Sequence, residues 1–364
     1  MAQLEDINDI LINYVEDYMP GVWVDANRDF NNYFVVQELF KKRMERGGDS
    51  PSTTFRFKTD EADNTIATEL FDTDSLNRVE LFEKATVYYA LQKTHFEIDV
   101  RESGVQGSDP KQILNHLDGL ASDMMDGFAQ RNEEWFFTLP TAPNSTNRKP
   151  LGLPYWVVKS TATTEEDFAF NGSNPSGYSD VAGLDRSTAA HSKLKNGTGV
   201  YVSLSATDGL KKLRTAVRKS NFRPPYDNKG EFRPDNRYML ISHDAPWETY
   251  QDLLFASNDN VGTDMGKYNP RSADASLYFR GIPWMWCSAL SESTSSGYDA
   301  DQPIYGLDMS SWKVRQRGDW FMKKKMVEMT NPHNVRVTWM DTILQYLCFS
   351  PRSNFVLHKS GNNS

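Results

Sequence analysis

Apolar side chains recur at Leu4, Ile7, Leu11, Tyr14, Val15 and Tyr18, a spacing that predicts an amphipathic helix ending before Pro20-Gly21. A second helix is predicted from about Asn32 to Arg46, stopped by Gly47-Gly48. Neither is long enough to fold alone, so residues 1–50 read as an arm whose stripe needs another surface to pack on. From Ser52 to Glu102 the period changes to two. Thr54–Lys58 and Ile66–Phe71 alternate apolar and polar around a charged loop, Thr59–Thr65, which predicts a projecting β-hairpin with a polar tip. Ala85–Gln92 and His95–Val100 add further strand-like runs.

The strongest helical signal follows. Asp109 stands at the N-cap, Pro110 at the first helical position and Gln112 completes a capping-box pattern. Apolar residues then recur at Ile113, Leu117, Leu120, Met124, Phe128 and Trp135, up to Leu139-Pro140. At 1.5 Å per residue, a helix from Pro110 to Thr138 is roughly 43 Å long, longer than a small domain needs. Residues 141–199, rich in Gly, Ser, Thr and Asn, read as long loops. Beyond them the pattern predicts a helix at Asp208–Ser220, a strand at Tyr238–Ser242 and a helix capped by Asp244. The remainder reads mostly as strands: 277–280, 282–288, 303–307, 322–329, 334–340, 342–349 and 354–358.

With 364 residues, the chain is long enough to bury a large core, and nine Trp among 12% aromatic residues exclude an intrinsically disordered protein. Two lone cysteines, Cys287 and Cys348, exclude a disulfide scaffold and suggest a reducing compartment. No stretch approaches 18 apolar residues, so no membrane partner is expected. The net charge of −9 conceals a division. Residues 1–140 carry 27 acidic and 13 basic side chains, whereas residues 141–364 carry 22 acidic and 27 basic. The basic excess is steepest at Lys313, Arg315, Arg317, Lys323, Lys324 and Lys325, with only Asp319 among them. Such a cluster is a solvated face, a polyanion-binding surface, or a surface that attracts the acidic half of another copy.

Catalytic signatures are missing. There is no phosphate-cradling glycine loop, no HExxH and no GxSxG elbow. The six histidines are scattered, and both cysteines sit in apolar runs where burial disfavours the thiolate. Glu133 and Glu134 are adjacent on a helix and therefore diverge, which makes them a poor catalytic pair. The loop Asn258–Asp264 lacks the spaced bidentate Glu of a calcium loop. No enzyme activity, cofactor or metal is expected.

The order of elements, helical arm, charged hairpin, very long helix, α/β segment and strand-rich return, resembles the major capsid protein of tailed double-stranded DNA bacteriophages, with the α+β Hong Kong 97-type capsid fold. Met125–Phe137 (MDGFAQRNEEWFF) resembles the end of that family's spine helix, and Pro150-Leu-Gly-Leu-Pro the turn that leaves it. Leu277–Ser288 (LYFRGIPWMWCS) resembles the family's G-x-P-V-x-x-S strand, and Pro303-Ile-Tyr-Gly-Leu-Asp the segment after it. The resemblance covers about residues 50–358.

It implies an N-terminal arm (1–50), an extended hairpin loop (51–105), a peripheral domain with the spine helix (106–149 and 321–364) and an axial domain (150–320). It further implies self-assembly through hexamers and pentamers into an icosahedral shell around packaged DNA, bound without sequence specificity. The implied location is the virion capsid, with synthesis in the bacterial host cytoplasm. The implied partners are a portal, a decoration protein and, because only about 50 residues precede the hairpin, a separate scaffolding protein. Contacts between subunits are expected at Arg56, Lys58, Asp60 and Glu61 of the loop and at the six cations Lys313–Lys325. Two other readings fit the sequence: a cellular nanocompartment shell of the same fold, or a carboxylate-dependent hydrolase or carbohydrate-binding protein with aromatic stacking platforms. Most aromatics lie in strand-like apolar runs, which favours core packing over platforms.

Overall fold

The computed structural model describes residues 34–46, 52–58, 82–99, 110–140, 149–188, 191–220, 238–256, 277–291, 298–318, 320–329 and 335–360. Its strands, in chain order, are β1 (Arg43–Arg46), β2 (Ser52–Lys58), β3 (Phe82–Tyr88), β4 (Ala90–Asp99), β5 (Glu166–Ala169), β6 (Gly197–Tyr201) and β7 (Tyr238–Ser242). They continue with β8 (Leu277–Phe279), β9 (Ile282–Trp286), β10 (Ile304–Asp308), β11 (Trp312–Arg317), β12 (Lys323–Met329), β13 (Val335–Cys348) and β14 (Phe355–Lys359). The spine helix runs Pro110–Phe137, as its periodicity predicts. Helices Gly209–Ser220 and Asp244–Ala256 also stand where the pattern places them.

A five-stranded sheet is organised around the 14-residue strand β13. Strand β4 pairs with it from Val335 to Leu344 on one side. On the other side β11 and β12 lie end to end, both antiparallel to β13. The interruption between them contains Gly318 and Met322 with positive φ. It is tied back by Ile343 N–H donating to Trp320 O at 2.7 Å and Met322 N–H donating to Thr342 Oγ1 at 3.1 Å. The apolar face of this sheet receives the spine helix, with Met124 and Phe128 packed on Met340 and Phe136 set against Trp312 and Tyr346.

The second sheet has seven strands in the order β5-β6-β14-β10-β7-β9-β8. Helix Gly209–Ser220 covers part of one face through Leu213 and Ala216, in a cluster with Tyr201, Trp284 and Phe355. A larger core joins both sheets, uniting Phe136, Trp156, Tyr305, Trp312, Tyr346 and Val356. The chain crosses between these two sheets after β4, by way of the spine helix, and again after β10 and after β13, and the last two crossings converge on the fully buried Asn354. Its Oδ1 accepts Asp308 N–H at 2.8 Å and Trp312 Nε1–H at 3.1 Å, while Nδ2 donates to Ser350 O at 2.8 Å and Ser311 Oγ at 3.1 Å. Every polar atom of that amide has a partner, as burial demands.

Four expectations change. The predicted helix 32–46 is helical only to Lys42. Arg43–Arg46 become a strand, because the open edge of β11 offers it parallel pairing. Strand 54–58 does belong to a hairpin, but β2 pairs with β3, 82–88, and the predicted partner 66–71 lies outside the described residues. The two strands expected at 334–340 and 342–349 are one continuous strand. Finally, the Gly-rich stretch read as loop contains β6, whose five residues are all buried. Gly197 is needed there for packing: a Cβ would stand 2.4 Å from the Phe168 ring. The expected helix 4–18 and loop 258–264 lie outside the described residues.

The sheets also divide the chain differently from the expected boundary at residue 320. Strand β11 is in the five-stranded sheet and β14 lies between β6 and β10 in the seven-stranded one.

Candidate inter-subunit contact surface

The five-stranded sheet has a second face, turned away from the spine helix. Side chains alternate along a strand, and directly paired residues share a side. Trp312 and Val314 point into the core, so Lys313, Arg315 and Arg317 emerge on the opposite face. Lys323 pairs with Asp341 and Lys325 with Trp339, on that same face. Lys324 pairs with Met340, the residue packed on Met124 and Phe128, and so takes the helix side while staying exposed. Of the six predicted cations, five thus share one face and one does not.

Pairing of β4 with β13 brings in residues the sequence reading missed. Lys93 pairs with Asp341, His95 with Trp339 and Leu91 with Ile343. Their alternation along β4 is visible locally, but which face they occupy depends on a partner more than 240 residues away in sequence. Aromatic rings are interleaved with the cations. His95 stacks on Trp339 with centroids 4.5 Å apart, and Lys93 Nζ lies 5.4 Å from the centre of the same ring. Lys323 Nζ sits 4.7 Å over Trp320, and the Arg315 guanidinium 5.5 Å over Phe349. Such contacts hold the cationic heads over apolar rings without neutralising them. Lys313, Arg317, Lys323, Lys324 and Lys325 have no ion-pair partner among the described residues. Among the described residues, four of the five exposed large apolar side chains, Met44, Tyr88, Leu91 and Trp320, lie on or beside this sheet, with Leu91 71% exposed.

The hairpin residues are placed only by backbone. Arg56 pairs with Lys84 and Lys58 with Phe82, while Asp60 and Glu61 lie outside the described residues. The base of the hairpin is fastened: Thr86 N–H donates to Ala182 O at 3.0 Å, and His191 Nε2 lies 2.9 Å from Glu83.

The remaining chemistry-bearing side chains are dispersed. Among the described residues, no three His, Cys, Asp or Glu converge as a metal site. Cys287 and Cys348 are free and fully buried, and burial pushes the Cys348 thiol up to about 12. Glu133 and Glu134 diverge as expected. Glu134 meets Arg131 at 2.7 Å on the surface, whereas Glu133 is 1% exposed. Burial raises the Glu133 carboxyl to about 7, although Val35 N–H, the Cys287 thiol and Phe34 N–H all donate to it.

No sequence-family description matches the chain, and neither does any curated protein. Solved structures do match. A subunit of the "Cyanophage A-1(L) capsid asymmetric unit" superposes with a TM-score of 0.58 at 11% identity, covering 94% of both chains. A subunit of the "Capsid of native GTA particle" superposes with a TM-score of 0.56 at 10% identity, covering 94% of this chain and 95% of that one. The corresponding empty particle gives 0.55 at 10% identity, with 95% and 96% covered. At such identity the likeness is one of fold, and it extends over nearly the whole of each chain. The chain has the Hong Kong 97-type capsid fold, as the order of its elements suggested.

Proposed function

We propose that this chain is a shell subunit, the major capsid protein that assembles through hexamers and pentamers into the icosahedral head of a tailed double-stranded DNA phage. The observation that carries the reading is the fold likeness to capsid subunits over 94% of the chain. The role is structural: geometry of contact replaces chemistry. The arm, the hairpin, a peripheral unit on the spine helix and an axial unit on the seven-stranded sheet are the parts that would make those contacts.

A two-stranded hairpin is marginal in water, so β2–β3 gains stability by lying across a neighbouring copy. Head-to-tail contacts of that kind close into rings. The basic, ring-lined face of the five-stranded sheet is the receptor we assign to the acidic part of the neighbour. Residues 59–81, between the hairpin strands, carry seven acidic side chains and one basic. Arg56, Lys58, Asp60 and Glu61 at the hairpin and Lys313, Arg315, Arg317, Lys323 and Lys325 on this face of the sheet belong to this contact, and Lys324, on the opposite face, does not. Exposed pairs contribute only about 0–1 kcal/mol each, so charge steers and orients the encounter while apolar burial holds it. Scaffolding, portal and decoration proteins are the further partners, and packaged DNA is enclosed without sequence-specific binding by a chain of net charge −9.

The test is to express the chain, alone and with its genomic neighbours, and look for large uniform particles by negative-stain microscopy. A chain that stays monomeric under all conditions and binds a small ligand overturns the shell reading. The charge assignment is tested separately. Reversal of Arg315, Lys323 and Lys325 to Glu, or salt in the molar range, is expected to slow assembly without unfolding the subunit. Assembly kinetics indifferent to both would remove it.

A further inference from the structure

The buried carboxyl of Glu133 performs a task that the shell reading does not use. It lies in the last third of the spine helix, and the arm folds directly over it. Oε2 accepts Val35 N–H at 2.8 Å, and Oε1 accepts Phe34 N–H at 3.1 Å. The Cys287 thiol donates to Oε1 at 3.3 Å from the far side. A side chain 98 and 99 residues distant in sequence thus caps the first amide groups of the arm's helical segment.

The rest of the arm is seated by other means. Phe34 packs on Phe136 and Phe137, Phe40 on Phe128 and Phe321, and Leu39 is buried. Lys42 Nζ donates to Met309 O at 2.5 Å, and β1 runs parallel along β11. Among the described residues of this seat, Glu133 is the carboxyl that is fully enclosed with no cation beside it. The titratable groups facing it are Cys287, on the chain leading into the turn at 288–291, and Tyr346 on β13, whose hydroxyl donates to Asn132 Oδ1. Among the described residues of the arm, the backbone amides of Phe34 and Val35 reach it.

We propose that Glu133 is a proton-operated latch: proton uptake tightens the arm on the spine helix, and proton loss loosens it. The sign follows from what the seat does to charge. With the arm down, the carboxylate is cut off from water, and desolvation outweighs its three donors. Lifting the arm rehydrates it and returns its affinity for protons towards the ordinary value. The seated state therefore holds the proton more tightly, and by linkage protonation favours seating. On protonation Oε2 keeps the Val35 amide, while the Cys287 thiol and the Phe34 amide face a neutral acceptor in Oε1. Seating is strongest below the ordinary carboxyl range and is lost as pH rises through the value in the seated state. Between pH 6 and pH 8 the seating constant should fall about tenfold.

The inference concerns the arm of a single chain and stands or falls independently of the shell reading. Hydrogen exchange of the full chain, held in one assembly state, is followed by mass spectrometry from pH 5.5 to 8.5. Protection of the segment containing Phe34 and Val35 is corrected for the chemical exchange rate at each pH. The expected result is a roughly tenfold loss of protection between pH 6 and 8. Glu133→Gln should abolish the pH dependence and keep the arm protected at pH 8. Cys287→Ala, which removes a donor to the charged form, should move the midpoint to higher pH, and it carries the test where Glu133→Gln fails to fold. Protection independent of pH, the same pH dependence in Glu133→Gln, or an unmoved midpoint in Cys287→Ala would overturn the latch.

Discussion

Gly152 packs against the last turn of the spine helix, and a single methyl group there should be enough to disrupt the junction. A Cβ on Gly152 would lie 2.0 Å from Phe136 O and 2.5 Å from Phe136 C. Both are backbone atoms of a helix, so no rotamer change relieves the contact. Reaching even 3.0 Å requires the helix end and the 150–153 segment to part by about 1 Å. Leu153 and Trp156 are fully buried just beyond, with Trp156 Nε1–H donating to Tyr346 O at 3.2 Å. Phe136 itself is held between Trp312 and Tyr346, with centroids 5.5 and 5.2 Å away. A gap of about 1 Å forfeits a quarter to a half of each contact's attraction, so Gly152→Ala should cost about 3 kcal/mol. With an unfolding entropy of about 2.1 cal/mol/K per residue, that is a fall in Tm of about 4 °C.

The control is Gly127→Ala in the same helix. Gly127 is exposed and nothing lies within 4 Å of its Cβ position, so the helix gains about 0.5–1 kcal/mol and Tm rises slightly. Thermal melts of the unassembled subunits by circular dichroism read both. A Gly152→Ala subunit melting within about 1 °C of the parent, or a Gly127→Ala subunit melting lower, would refute the reasoning.

Two further outcomes follow from buried polar groups. Asn354→Ala strips the acceptor from Asp308 N–H and Trp312 Nε1–H at the crossing between sheets. It should lower stability by about 2–6 kcal/mol, and an unchanged urea midpoint would show that the crossing tolerates the loss. Burial pushes up both thiols, Cys348 to about 12, so a disulfide reagent at pH 8 should modify neither in the native subunit and both after unfolding. Rapid native labelling of either would place a water path beside it.

How much was legible in the sequence depended on the range over which each element is decided. The spine helix was read to within a residue, because its cap, its first-turn proline and its apolar repeat are all local. Strand β7 and helices Gly209–Ser220 and Asp244–Ala256 were legible for the same reason. The motif Pro150-Leu-Gly-Leu-Pro was visible as a pattern, but the need for its glycine became physical only once Phe136 stood against it. Arg43–Arg46 continue a helical pattern and yet form a strand, since the edge of β11 supplies pairing that propensity cannot foresee.

The basic cluster shows the same limit at the candidate contact. Sequence gives six cations in a row, while the pleat and the break at Gly318–Met322 put Lys324 on the opposite side and bring Lys93, His95 and Trp339 beside the rest. Glu133 was one of two adjacent acids with nothing local to distinguish them. Burial beneath the arm is a property of three segments meeting, and it alone separates this carboxyl from Glu134 on the surface. Sequence by itself determined the elements and their order, because periodicity and capping act over a few residues. The tertiary structure decided pairing, faces and burial, because those are fixed by partners that lie from about thirty to nearly three hundred residues away.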